Sequence, residues 1–336
     1  MAISYVLVTG ATGLVGAHVV DQLLDRGFRV RAVARSRAKA KAMQDARQKY
    51  ASHLDFYFID DLTTPDVFDK ALRGGIDGVI HVASPFNYSV LDNENELMIP
   101  AISGVRSLLS AALATGGIQR VVLTSSFAAV LDINRNTDTD PWIYTSKDWN
   151  PITYAEAASP AATPQVGYRG SKKFAELEAW QFMERESPPF DLVTLCPAMV
   201  FGPVANPITS VKELNESNKV LWNVASGVKP LPLAAVNFWI DVRDLANVHV
   251  TALLTPQAGG KRYIPVSPAK FTYQLVADII RDEFPDLKYG ISTDAQKIKK
   301  GADVDQSAVT EDLKVSYRTL RDTVVEFVRQ AQLLDK

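Results

Sequence analysis

Along the first two hundred residues, short apolar runs alternate with stretches whose apolar positions recur every three to four residues. YVLV (5–8), VRAV (30–33), LDFYFI (54–59), GVIHV (78–82), RVVLTS (120–125) and FDLVTL (190–195) have the length and near-continuous apolarity of strands covered on both faces. Helical patterns fill the gaps, notably LVGAHVVDQLLDRG, stopped by Gly27, and the Ala-rich run from Arg35 to Tyr50. Strand alternating with helix requires right-handed crossovers. The predicted fold class is therefore α/β, a Rossmann-type doubly wound parallel sheet. From about Asn206 the pattern loosens, with prolines at 207, 230, 232, 256, 265 and 268 separating shorter elements. The reading is a main domain over 1–200 and a smaller, interleaved lobe over 201–336. FWIDVRDLANVHVTALL (238–254) predicts a strand and helix that return to the main sheet, so that about 238–256 belongs with the first domain.

Composition narrows the function classes. The chain has 336 residues, of which 47% are hydrophobic and 22% charged, as in an ordinary globular protein. A net charge of -2 gives no reason to expect nucleic acid or an acidic membrane as partner. The single cysteine, Cys196, excludes an intrachain disulfide and the thiolate clusters of structural zinc, so no metal is expected and reducing cytoplasm is the expected location. MAISYVLVTG lacks the basic start and small-residue cleavage site of a signal peptide, and no uninterrupted apolar run reaches spanning length.

Against that background the local motifs gain meaning. TGATGLVG follows the first strand and opens a helix, with Gly10, Gly13 and Gly16 spaced G-x-x-G-x-x-G and Thr12, Leu14 and Val15 between them. A diphosphate needs close backbone and free N–H groups, which a glycine turn at a helix N-terminus supplies. The spacing differs from G-x-G-x-x-G, so strand, helix and first-strand position carry the assignment. The second strand ends in Val33-Ala34-Arg35-Ser36, where an NAD enzyme would place an acid for the ribose 2′-hydroxyl. Arg35, with Arg37 and Lys39 behind it, fits a 2′-phosphate and hence NADP(H); a merely solvated basic helix start is the competing reading. Asp61, with Leu62 beside it, follows the third strand and is placed for the adenine amino group or for capping its own loop.

HVASPF (81–86) brings small residues, Val82, Ala83 and Ser84, to the end of the fourth strand, where backbone can approach a nicotinamide. His81 there reads as a packing residue. TSSFAAV puts the hydroxyls of Thr124, Ser125 and Ser126 at the fifth strand's end, within reach of a substrate carbonyl oxygen. VGYRGSKKF sets Tyr168 and Lys172 four residues apart, on one face of a helix. Such pairs arise by chance in many helices; the surrounding motifs give this one its weight.

Taken together, TGATGLVG, HVASPF, VVLTSSFAAV, YRGSKKFAE, CPAMVFGP and WIDVRDLA resemble, in order and approximate spacing, the extended short-chain dehydrogenase/reductase family across nearly the whole chain. The wording is most similar to the branch holding dihydroflavonol reductase, cinnamoyl-CoA reductase and the fungal methylglyoxal and ketone/aldehyde reductases. The resemblance implies a catalytic triad of Ser126, Tyr168 and Lys172, with Pro197, Met199 and Val200 of CPAMVFGP also at the cofactor. It implies reduction of ketones, diketones or aldehydes by NADPH, with Tyr168 giving the proton, Lys172 lowering its pKa and Ser126 orienting the carbonyl. One position departs: where many relatives carry asparagine in the central helix, IPAISGV has Ser103. Phe86, Phe127, Met199 and Phe201 are candidate apolar walls around Ser126, suiting an uncharged small-molecule carbonyl substrate. Asp241 and Arg243 read as structural. The alternatives are an NAD-dependent sugar-nucleotide epimerase or dehydratase and a non-catalytic NADPH-sensing protein, each as monomer or homodimer.

Overall fold

The structure is a computed structural model describing residues 3–64, 66–84, 89–287, 289–298 and 300–335. Its elements run β1 (Tyr5–Thr9), α1 (Leu14–Asp25), β2 (Arg29–Ala34), α2 (Arg37–Asp45), β3 (Leu54–Phe58), β4 (Gly78–His81), α3 (Ile99–Thr115), β5 (Arg120–Thr124), β6 (Trp142–Tyr144), α4 (Tyr154–Ala158), α5 (Pro164–Glu186) and β7 (Asp191–Leu195). They continue through β8 (Met199–Phe201), α6 (Glu216–Ala225), β9 (Trp239–Asp241), α7 (Val242–Leu254), β10 (Arg262–Tyr263), α8 (Tyr273–Glu283), β11 (Ala302–Val304) and α9 (Leu320–Leu334).

Seven strands form one parallel sheet in the order β10-β7-β5-β4-β1-β2-β3, and the six apolar runs supply all but β10. Alternate side chains of β1 explain the two covered faces. Val6 and Val8 pack with Val19, Val20 and Leu23 of α1 and Val248 and Val250 of α7. Tyr5 and Leu7 face Leu108 and Leu109 of α3 and Ala179 and Phe182 of α5. The segment Glu94–Thr115 is long and apolar enough by composition to cross a membrane, but α3 spends that apolarity in the core between sheet and α5.

Two features depart from the sequence reading. The helix in 238–254 does return to the sheet as α7, but its strand does not: β9 pairs with β8 in a separate two-stranded ladder, Met199↔Trp239 to Phe201↔Asp241. The sheet edge beyond β7 is instead taken by β10, two residues long and too short to show a period. The second core gathers Phe201, Leu221, Trp239, Val276, Ile280 and Phe327, from β8, β9 and the helices α6, α8 and α9, together with Phe271 just before α8. Asp241 and Arg243 are structural, as expected. Asp241 caps α7 by accepting from Arg243 N at 2.7 Å and accepts from Thr323 Oγ1 at 2.7 Å, while Arg243 pairs with Glu326 of α9.

Candidate active site

The register sets the carboxyl ends of the central strands side by side: Thr9 of β1 lies opposite His81 of β4, which lies opposite Leu123 of β5, and Thr124 lies opposite Leu195 of β7. Thr9 ties two of these ends together. Its buried Oγ1 contacts His81 Nδ1 at 2.8 Å and accepts from Ala83 N at 3.0 Å. Burial first, and then the charge of Lys172, hold His81 down to a pKa of about 3, so it is a neutral packing residue.

The glycine turn is compressed onto this edge. Gly10, at φ +64°, would bring a Cβ within 2.9 Å of Ala83 N, and Gly16 would bring one within 2.2 Å of Gly10 O. Gly13 donates to Gly10 O at 2.9 Å and stands at the start of α1, which has no side-chain cap and no acidic residue in its first turn. The backbone N–H groups at Leu14, Val15 and Gly16 therefore face a cradle with a positive helix end and no bulk, the fit a dinucleotide phosphate requires. Thr12, Leu14 and Val15 are half-buried around it, as are Val82, Ala83 and Ser84.

At the basic rim, the cations sort themselves. Arg37 lies over the Phe58 ring at 4.3 Å and Lys41 pairs with Asp45, whereas Arg35 and Lys39 are exposed and make no ion pair among the described residues. Ser36 caps α2 by accepting from Lys39 N at 3.3 Å. Asp61 is exposed and spends Oδ1 on Thr63 N and Oγ1, at 2.8 and 2.7 Å, which holds its carboxyl below the usual range. Leu62 packs beside Gly104 of α3.

Tyr168 and Lys172 lie near the start of α5, and tight packing fixes that start. Asn93, nearly buried, donates to the carbonyls of Ala157, Ala162 and Thr163, and a Cβ on Gly167 would lie 2.3 Å from Asn93 Cγ. The glycine before Tyr168 is thus demanded by close approach. Tyr168 itself is half-buried. Lys172 is only 8% exposed and donates from Nζ to Thr124 O at 3.2 Å. Burial lowers its pKa to about 8, opposed by Cys196 and Glu176. The Cys196 thiol is itself pushed far up by burial and is neutral, so Glu176 is the anion that counts for Lys172 among the described residues.

The three hydroxyls at the end of β5 do not share one task. Thr124 Oγ1 turns to His249 Nε2 at 2.7 Å, and Ser125 donates to Glu176 Oε2 at 2.6 Å. Like Thr124, Ser126 is half-buried at the edge. Its Oγ accepts from Ala128 N at 3.1 Å, leaving its proton for an incoming oxygen.

The expected apolar walls change. Phe201 is 0% exposed, stacked in the second core on Trp239 and edge-on to Phe271, and Phe127 is sealed between Tyr144 and Phe238. Neither can touch a ligand; sequence could not show that rings beside motif residues point into a core. Met199 and Val200 are half-buried on β8, and Pro197 is buried, its carbonyl accepting from Phe127 N at 2.8 Å. Phe86 lies outside the described residues. A cavity of about 100 Å³ among Leu131, Tyr144, Val236 and Phe238 touches none of Ser126, Tyr168 and Lys172. His81, Ser84, Thr124 and Lys172 instead line a second cavity, at the strand ends.

A profile of the NAD dependent epimerase/dehydratase family matches residues 6–264. The chain belongs to this family. Within it, the NADPH-dependent methylglyoxal reductase GRE2 of Saccharomyces cerevisiae is 35% identical over 342 residues, covering 97% of each chain. The ketoreductase azaE of Aspergillus niger is 34% identical over 289 residues, 84% of this chain and 83% of its own. The crystal structure of yeast methylglyoxal/isovaleraldehyde reductase Gre2 complexed with NADPH matches the fold with a TM-score of 0.88, at 34% identity over 98% of both chains. The resemblance to the extended reductases and their fungal methylglyoxal-reducing branch holds.

Proposed function

We propose that this protein is an NADPH-dependent carbonyl reductase of the cytoplasm, reducing small ketones, diketones or aldehydes to alcohols. The observation that carries the reading is Lys172, a buried ammonium one helical turn from Tyr168 at the strand ends beside the glycine cradle. When bound, the nicotinamide supplies hydride to the carbonyl carbon. This chain's residues supply proton and charge. As the carbonyl oxygen becomes negative, Ser126 donates a hydrogen bond to it and Tyr168 gives it a proton. A free phenol has a pKa of about 10, and bringing it near neutrality takes about 4 kcal/mol of phenolate stabilisation. A cation at about 4 Å in surroundings of effective dielectric near 20 is worth about that much. Lys172 meets the need while it is protonated, so reduction is expected to fall as pH rises through its pKa of about 8. The remaining Nζ hydrogens suit the nicotinamide ribose hydroxyls.

The test follows absorbance at the reduced-nicotinamide band with NADPH or NADH and a panel of ketones, diketones and 2-oxoaldehydes. Substrate-dependent loss with NADPH is the expected result. Tightly held NAD in the purified protein with no carbonyl turnover would overturn it in favour of epimerase or dehydratase chemistry.

Coenzyme choice rests on the exposed rim cations Arg35 and Lys39. Arg35→Ser should raise the KM for NADPH roughly 30-fold, the equivalent of losing about 2 kcal/mol of charge-assisted hydrogen bonding. The KM for NADH should barely move. An equal change for both coenzymes would remove Arg35 from the 2′-phosphate site.

A further inference from the structure

The YRGSKKFAE segment holds a third polar residue at helical spacing that the triad does not use. Glu176 stands one turn beyond Lys172 on α5 and is completely buried, yet it is surrounded by donors. Arg262 of β10 reaches it through Nε at 2.7 Å and Nη2 at 3.2 Å. Ser125 donates to it at 2.6 Å and Thr194 at 2.7 Å, and the Cys196 sulfur lies 3.4 Å from Oε2. Burial works against ionisation, but the Arg262 charge and these hydrogen bonds outweigh it and hold the carboxyl below the usual carboxylate range. Arg262 is anchored in turn by the carbonyls of Ser146 and Asp148, at 3.1 and 2.5 Å, and by stacking on Trp149 at 3.9 Å.

This network touches the reacting groups in two places. Ser125, which Glu176 holds, directly precedes Ser126, and Ser125 N is also bound to Leu195 O at 2.8 Å, so the turn presenting Ser126 is fixed from both sides. Lys172 and Glu176 line one cavity of about 20 Å³ together with His81, Ser84, Thr124 and Ser125. The groups facing Lys172 are Glu176 on its own helix, where Tyr168 stands one turn before it, His81 from β4, the Thr124 carbonyl from β5 and Cys196 after β7, with Arg262 of β10 behind Glu176. His81 and Cys196 are neutral near pH 7, so Glu176 supplies the negative charge.

We propose that Glu176 is a positioning residue of the reductase site, fixing the turn that carries Ser126 and keeping the buried Lys172 side chain positively charged through the cavity they share. The inference rests on the reading that Ser126, Tyr168 and Lys172 perform the reduction. With the carboxylate gone, burial acts on Lys172 with less opposition and its proton leaves at lower pH.

The test is the pH dependence of kcat between pH 6 and 9.5, at saturating NADPH and a diketone that the wild type reduces. The proteins compared are wild type, Glu176→Gln, Glu176→Asp and the double variant Glu176→Gln/Arg262→Gln, which removes together with the carboxylate the guanidinium it pairs. The alkaline limb is expected to move down by about one to two pH units in Glu176→Gln and in the double variant. It should stay within about half a unit of wild type in Glu176→Asp, which keeps the charge. A kcat lowered equally at every pH with the limb unmoved would make Glu176 merely structural, and failure of both Gln-containing variants to fold would do the same. A wild type that still turns over after Tyr168→Phe overturns the underlying reading as well; one that needs Tyr168 but shows an unmoved limb overturns this proposal alone.

Discussion

Tyr168→Phe is expected to lower kcat for carbonyl reduction by at least about a hundredfold and up to about ten-thousandfold, the usual span for a positioned general acid. The change removes one oxygen from a half-buried ring and leaves the helix around it intact. Ser171 Oγ bonds the Tyr168 backbone carbonyl at 2.8 Å, and Asn93 and Gly167 still set the start of α5. Melting temperature and NADPH dissociation constant, from thermal unfolding and fluorescence titration, should therefore stay close to wild type. The loss should fall on kcat. Retention of more than a tenth of wild-type turnover would remove Tyr168 as proton donor and, with it, the role given to Lys172.

Gly16→Ala should produce the largest effect on the cofactor end. A Cβ there would stand 2.2 Å from Gly10 O, 2.7 Å from Gly10 C and 2.9 Å from Ala11 Cα, all backbone atoms of the same turn. No side chain can rotate away to make room. The turn must open, at a cost of about 3 kcal/mol or more by comparison with overpacked cores. The phosphate cradle distorts with it, so stabilisation of the fold by NADPH should be largely lost. Gly13→Ala is the internal control: its Cβ would meet only Gly10 O, at 3.3 Å, and its φ of -85° suits any residue. It should cost far less in both melting temperature and NADPH binding, as thermal unfolding with and without the coenzyme would measure. Equal effects at the two glycines would show that close approach does not set the turn.

The contrast between these two ends of the site matches what could be read along the chain. The glycine turn, Ser126, the Tyr168–Lys172 pair and the basic residues after β2 are each local. A few consecutive residues place them on a strand end or a helix face, and period and spacing show this directly. The buried Glu176–Arg262 pair is not local, since its partners are 86 residues apart and meet only because β10 closes the sheet edge. Glu176 lay four residues past Lys172 in plain view, but a glutamate on a helix ordinarily reads as a solvated face. Thr124 and Ser125 had the right position and the wrong direction. Their hydroxyls are claimed by His249 and Glu176, both brought there by packing.

The sequence by itself determined the parallel sheet, its central strands, the glycine turn and the spacing of Tyr168 and Lys172, because each follows from backbone periodicity or from a short run of residues. Only the tertiary structure decided which aromatic rings are sealed in cores, where β9 and β10 pair and which carboxylate faces the buried lysine. Those outcomes depend on segments distant along the chain competing for the same space, hydrogen bonds and freedom from water, and no window of sequence contains both competitors.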